Sequence, residues 1–141
     1  MDRVAAQRSL FGRLAAVSGV VLAVALFATT AASTAKDGRP EVNAAGACGG
    51  SATSKLRLRG GDDGIEVRFE VEHTRPGFAW RIVLVHERRI AWKGVARTTR
   101  PGGSFEVNRT LRDLPGADAL TVRAVGPNGV VCRAAATLSE F

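Results

Sequence analysis

Side chains able to do chemistry are few in this sequence. Its 141 residues include two histidines (His73 and His86), two cysteines (Cys48 and Cys132), no tyrosine and a single methionine at the start. Two imidazoles are too few for a copper-zinc sandwich enzyme. A blue-copper centre would add a free thiolate and usually a methionine to its two histidines. Each histidine closes a stretch of alternating residues and reads as a surface group. Ser51, Ser54, Ser104 and Ser139 lack the strand-to-helix turn that builds a nucleophile elbow. Asp62 and Asp63 lie in GGDDG, without the further oxygen ligands that a calcium ion requires, and read as a polar turn. The expectation is a non-enzymatic chain, with no catalytic residue, no cofactor and no metal ligand.

Arginine is the remaining source of function. The chain has 17 arginines and 3 lysines against 13 acidic residues, a net charge of +7. Most basic residues fall on outward strand positions or in turns, where glutamates dilute them. One cluster is poor in acid: Arg81, Arg88, Arg89, Lys93, Arg97 and Arg100, with Glu87 its only carboxylate. It is a candidate patch for an anionic envelope polymer or lipid headgroups, weighed against an ordinary solvated face. Nucleic acid is not an expected partner, because base stacking needs aromatics among the cations and only Trp92 is placed for that.

The beginning of the chain carries an address. Arg3, Arg8 and Arg13 precede a charge-free run from Leu14 to Ala35, most apolar over Val17 to Phe27 and ending in small residues. This is the layout of a secretory signal with cleavage after Ala32 or Ala35. The rival reading is an uncleaved signal anchor, since the run is long enough to span the hydrocarbon core. In that case the N-terminal segment would be the only membrane contact. Cys48 does not directly follow the apolar run, which argues against lipidation. Residues 1–35 are assigned to this hydrophobic signal helix, 36–47 to a flexible tether and 48–141 to a folded domain. Export to an extracellular or cell-surface location makes a Cys48–Cys132 disulfide the expected state of the two thiols.

The folded part has period two. In Gly64 to His73, Ile65, Val67, Phe69 and Val71 alternate with Glu66, Arg68, Glu70 and Glu72, giving a strand with one apolar face. Leu56 and Leu58 alternate likewise with Lys55, Arg57 and Arg59. The pattern returns over Phe78 to His86, Ile90 to Arg97, Ser104 to Leu111, Ala119 to Val125 and Val130 to Leu138, with Pro- and Gly-containing turns between. About seven strands and no helical period after the N-terminal run point to an all-β domain. Two packed sheets would cover the apolar faces that a single sheet leaves wet.

Trp80 in the third strand and the Leu114-Pro115-Gly116 corner before ALTVRAV resemble an immunoglobulin-like or fibronectin-III-like β-sandwich. The chain departs from that pattern in having no tyrosine corner and no cysteines flanking the tryptophan. CGGSATSKLRLRGGDDGIEVRFEVEHTRPGFAWRIVLVHE, TTRPGGSFEVNR and GPNGVVCRAAATL also resemble a group of small secreted proteins of high-GC Gram-positive bacteria. That likeness implies secretion and the sandwich, and no activity. The functional expectation is a secreted or surface-tethered sandwich that binds a protein or an anionic envelope polymer. The alternatives are a structural extracellular spacer and an unrecognised hydrolase or metal-binding protein.

Overall fold

The computed structural model describes residues 32–36 and 38–141, with side chains from Gly38 onward. Among them are nine strands: β1 Ala32–Lys36, β2 Arg39–Cys48, β3 Thr53–Gly61, β4 Gly64–Glu72, β5 Ala79–His86, β6 Arg89–Arg97, β7 Phe105–Leu111, β8 Asp118–Val125 and β9 Val131–Leu138. Every pairing is antiparallel. The last seven match the alternating stretches of the sequence to within a residue or two at each end.

Eight strands form one hydrogen-bonded path, β6-β5-β8-β9-β2-β3-β4-β7, and β1 pairs with β2 beside it. The path curls until its two ends, β6 and β7, approach each other, so the molecule is nearly a barrel. No ladder joins those ends. They are bridged by a side-chain contact, the Arg109 guanidinium 4.1 Å from the centre of the Trp92 ring.

Inside the curl, period two has become burial. Leu56, Leu58, Ile65, Phe69 and Val71 come from one half of the path, and Trp80, Ile82, Leu120, Val122 and Leu138 from the other, all at most 1 % exposed. Burying side chains of this size contributes about 1.5–3 kcal/mol each. Phe105 of β7 knits the halves together, its ring centre 6.3 Å from that of Phe69 and 5.6 Å from that of Trp80.

The two halves share β2. Its residues Glu41 to Gly46 pair with β3, and Ala47 and Cys48 then pair with Arg133 and Cys132 of β9. Cys48 and Cys132 are direct register partners with Cα atoms 4.1 Å apart, and a disulfide joins them. The expected pairing of the two thiols is therefore present. Gly46 sits where β2 passes from one half to the other. A β-carbon there would lie 2.2 Å from Ser54 Oγ and 2.6 Å from the Arg133 carbonyl oxygen, so only glycine lets the three strands approach at this corner.

The N-terminal readings fare differently. The segment 1–31, to which most of the expected signal helix was assigned, lies outside the described residues. Ala32–Lys36, placed at the end of the signal and the start of the tether, is a strand, and so is Arg39–Cys48, which was assigned to the tether up to residue 47. Lys36 and Arg39 are register partners, and Gly38, just before β2, is at φ 73°. Val42 and Ala44 of β2 are buried, but small residues on this strand give its alternation little hydrophobic amplitude.

Replacement of Gly46 by alanine should destabilise the domain by about 1–3 kcal/mol, the usual range for forcing extra atoms into a packed site. Urea unfolding of the oxidised protein measures this, and an unchanged midpoint would mean that β2 does not turn at this residue.

Candidate functional site

The outward residues of β5, β6, β8 and β9 form one continuous surface, because residues paired across neighbouring strands project to the same face. One row runs Lys93, Val83, Arg123, Arg133. The next runs Val95, Arg81, Val125, Val131, and Arg97 stands opposite Ala79 beyond it. Arg81, Lys93, Arg97, Arg123 and Arg133 are all exposed, and among the described residues none forms an ion pair. Arg97 donates instead to the Gly77 carbonyl at 2.6 Å. The only carboxylate on these four strands is Asp118, which points inward and is fully buried.

The other half of the molecule is built differently. Its outward surface interleaves both signs, and four of its cations are paired: Arg57 with Glu41 at 2.8 Å, Arg68 with Glu70 at 2.7 Å and with Glu106, Lys55 with Glu72, and Arg39 with Asp62 in the polar turn. Hydrogen bonds from Arg57 and Asn43 hold the Glu41 carboxyl below the usual carboxylate range, and the Arg57 guanidinium is raised in turn by Glu41. Glu106 is lowered first by its hydrogen bond from Asn108. Charge is thus segregated by face, balanced on β2, β3, β4 and β7 and uncompensated on β5, β6, β8 and β9. Arg123 and Arg133 are direct register partners, a like-charge arrangement that costs stability in a sheet.

The sequence-level patch is split by the fold. Arg81, Lys93 and Arg97 stand together on this face. Arg88 is at the tip of the β5–β6 turn in a left-handed conformation, φ 63°. Arg89 pairs with His86, whose side chain points inward, and so lies off the face. Arg100 belongs to the connection between β6 and β7. Arg123 and Arg133 complete the face and were not assigned to the patch. Their neighbourhood depends on β8 lying between β5 and β9. Trp92 is half-buried under Arg109, not an exposed stacking platform.

A second cluster corrects the reading of His86 as a surface residue. It is 7 % exposed, with Nε2 2.5 Å from Oδ1 of the fully buried Asp118. His86 continues the inward series Trp80, Ile82, Leu84 and is the register partner of Leu120, and Asp118 opens β8 two residues earlier on the same interior side. Asp113 abuts Asp118, and its carboxyl is raised by burial first and by Asp118 second. Asp113 Oδ1 and Asp118 Oδ2 have no hydrogen-bond partner among the described residues. His73 is exposed, as expected, with Nδ1 3.1 Å from Thr53 Oγ1. Among the described residues no three of His, Cys, Asp and Glu converge as a metal site would require.

The chain matches no protein-family model, no curated protein and no solved structure.

Two outcomes follow from the buried cluster. His86→Ala leaves Asp118 buried without its donor and should cost about 3 kcal/mol or more in urea unfolding. Asp113 binds its proton more tightly folded than unfolded, so it favours folding in acid and loses that contribution as pH rises through its folded value. Asp113→Asn should therefore raise the melting temperature at neutral pH and have little effect below the ordinary carboxylate range. Equal effects at both pH values would exclude a raised Asp113.

Proposed function

We propose that this chain is an exported, non-catalytic binding module that docks through its arginine face onto an anionic polymer of the cell envelope. The observation that carries the reading is that five cations project from four adjacent strands with no carboxylate among them. Close cations raise the local positive potential, and with no internal counter-charge that potential is available to a polyanion. Neighbouring strands lie about 4.8 Å apart, so Lys93, Arg123 and Arg133 can meet successive negative groups of one chain.

The disulfide supports export, since such bonds persist in oxidising compartments. The finer fold belongs with this proposal: the path folds about β2 so that two inner faces meet over Trp80, which favours an immunoglobulin-like sandwich over a round barrel. Its covalent link differs from the immunoglobulin arrangement, because it joins adjacent strands at the corner.

The test is cosedimentation of the oxidised domain with purified cell envelopes over a salt series. Binding should weaken as salt shortens the Debye length from about 10 Å at 0.1 M. The triple reversal Lys93→Glu, Arg123→Glu, Arg133→Glu should lower affinity by roughly tenfold or more, whereas Lys55→Glu on the opposite face should not. Salt-independent binding, or equal loss from both variants, would refute docking through this face.

A further inference from the structure

The outward side of β5 and β6 carries side chains for which a soluble polyanion has no use. Ile90 and Val95, both on β6, are 57 % and 66 % exposed, the most exposed large hydrophobic residues among those described. One exposed aliphatic side chain is ordinary on a protein surface. These two share a side and have neighbours of their own kind. Ile90 is the register partner of Val85, Lys93 of Val83 and Val95 of Arg81, and residues paired in this way project to one face. Val83 and Val85 are half-buried.

Along β6 the outward series is therefore Ile90, Lys93, Val95, Arg97, hydrocarbon and cation in turn. The register shift between Leu84 and Val85 sets the first of these, since it pairs Val85 with Ile90 where an unbroken register would pair it with Ala91. β6 ends the hydrogen-bonded path, so this series forms the outer margin of the four-strand face. Neither β5 nor β6 contains a carboxylate. Glu87, in the turn between them, is engaged elsewhere, its Oε1 accepting the Ala119 N–H at 2.6 Å.

A partner for this margin must offer negative charge and hydrocarbon side by side. A hydrated polymer offers only the first. An anionic bilayer offers both, with headgroup phosphates at its surface and acyl chains just beneath. Attachment to such a surface grows with the apolar area buried and with the number of cations facing it. The long stems of Lys93 and Arg97 let their charges stay at headgroup level while shorter aliphatic neighbours go deeper.

We infer that the β5–β6 margin docks on an anionic lipid bilayer, with Ile90 and Val95 entering the acyl boundary and Arg81, Lys93 and Arg97 meeting headgroup phosphates. Membrane contact is then not confined to the N-terminal segment. The contact is additional to the polymer contact and does not rest on it, because it needs neither Arg123 nor Arg133.

The experiment is methyl NMR of the full chain with lipid nanodiscs, of phosphatidylcholine alone or mixed equally with phosphatidylglycerol, containing a trace of lipid with a nitroxide on its acyl chain. Such discs hold no polymer, and the nitroxide reports which side chains approach the lipid, however the N-terminal segment behaves. In anionic discs the Ile90, Val95, Val83 and Val85 methyl signals should broaden, and that of Thr53, exposed on the other half, should not. In neutral discs none of them should. Ile90→Thr with Val95→Thr keeps β-branched residues on the strand and should lower the docking constant, read at Val83 and Val85, by roughly tenfold. Lys93→Gln should lower it by about fivefold. The double threonine variant should bind dextran sulfate, a polyanion without lipid, as the parent does. No broadening in anionic discs, equal broadening at Thr53, or equal loss toward discs and dextran sulfate would each overturn the assignment. Envelope binding that needs Ile90 and Val95 without any docking on discs would do the same, and would give the margin to a protein.

Discussion

The structure depends on one strand serving two neighbours. β2 leaves β3 and joins β9 within a few residues, and this turn is possible because Gly46 carries no β-carbon against Ser54 and Arg133. Without it the molecule would be two curved sheets, each with an apolar face in water. With it, the inner faces of the halves close over Trp80, Phe69 and Phe105. The disulfide lies at the same corner, between residues already in register, and fixes the place where the backbone connection between the halves is shortest.

The same joint explains how charge comes to be sorted. Each half has its own solvent side, and the sequence fills the two differently. The cations Lys55, Arg57 and Arg59 of β3 lie between Glu41 of β2 and Glu66, Glu70 and Glu72 of β4, whereas β8 and β9 offer alanine, threonine, valine and arginine outward. Balanced ion pairs at a surface contribute little individually, but they neutralise that side. The arginine face keeps its charge because its only carboxylate, Asp118, is turned inward against His86.

Most strands were legible because alternation in Thr53 to Leu138 is strong, and residues such as Ile65, Val67, Phe69 and Val71 leave no other face to bury. β2 was not. Ala44, Ala45, Gly46 and Ala47 are too small to mark one side as apolar, and Asp37-Gly38 stood beside a segment read as a signal. His86 was legible in principle, being the next even-numbered residue after Leu84. The habit of assigning strand-end histidines to the surface outweighed that parity. The arginine face was half legible: Arg81, Lys93 and Arg97 are near in sequence, but Arg123 and Arg133 join them only once the strand order is known.

The seam between β6 and β7 gives the molecule a direction of opening. Around the rest of the circumference neighbouring strands are laced by backbone hydrogen bonds, and the corner far from the seam is bound covalently. At the seam a cation lies against an aromatic ring, and the connection through residues 98–104 ties only one end. Swelling or mechanical load would therefore part β6 from β7 first and spread the halves about the disulfide as a clasp purse opens about its hinge. Water would then reach Trp92 before it reached Leu58 or Val122, and the hinge would keep the two halves aligned for closing.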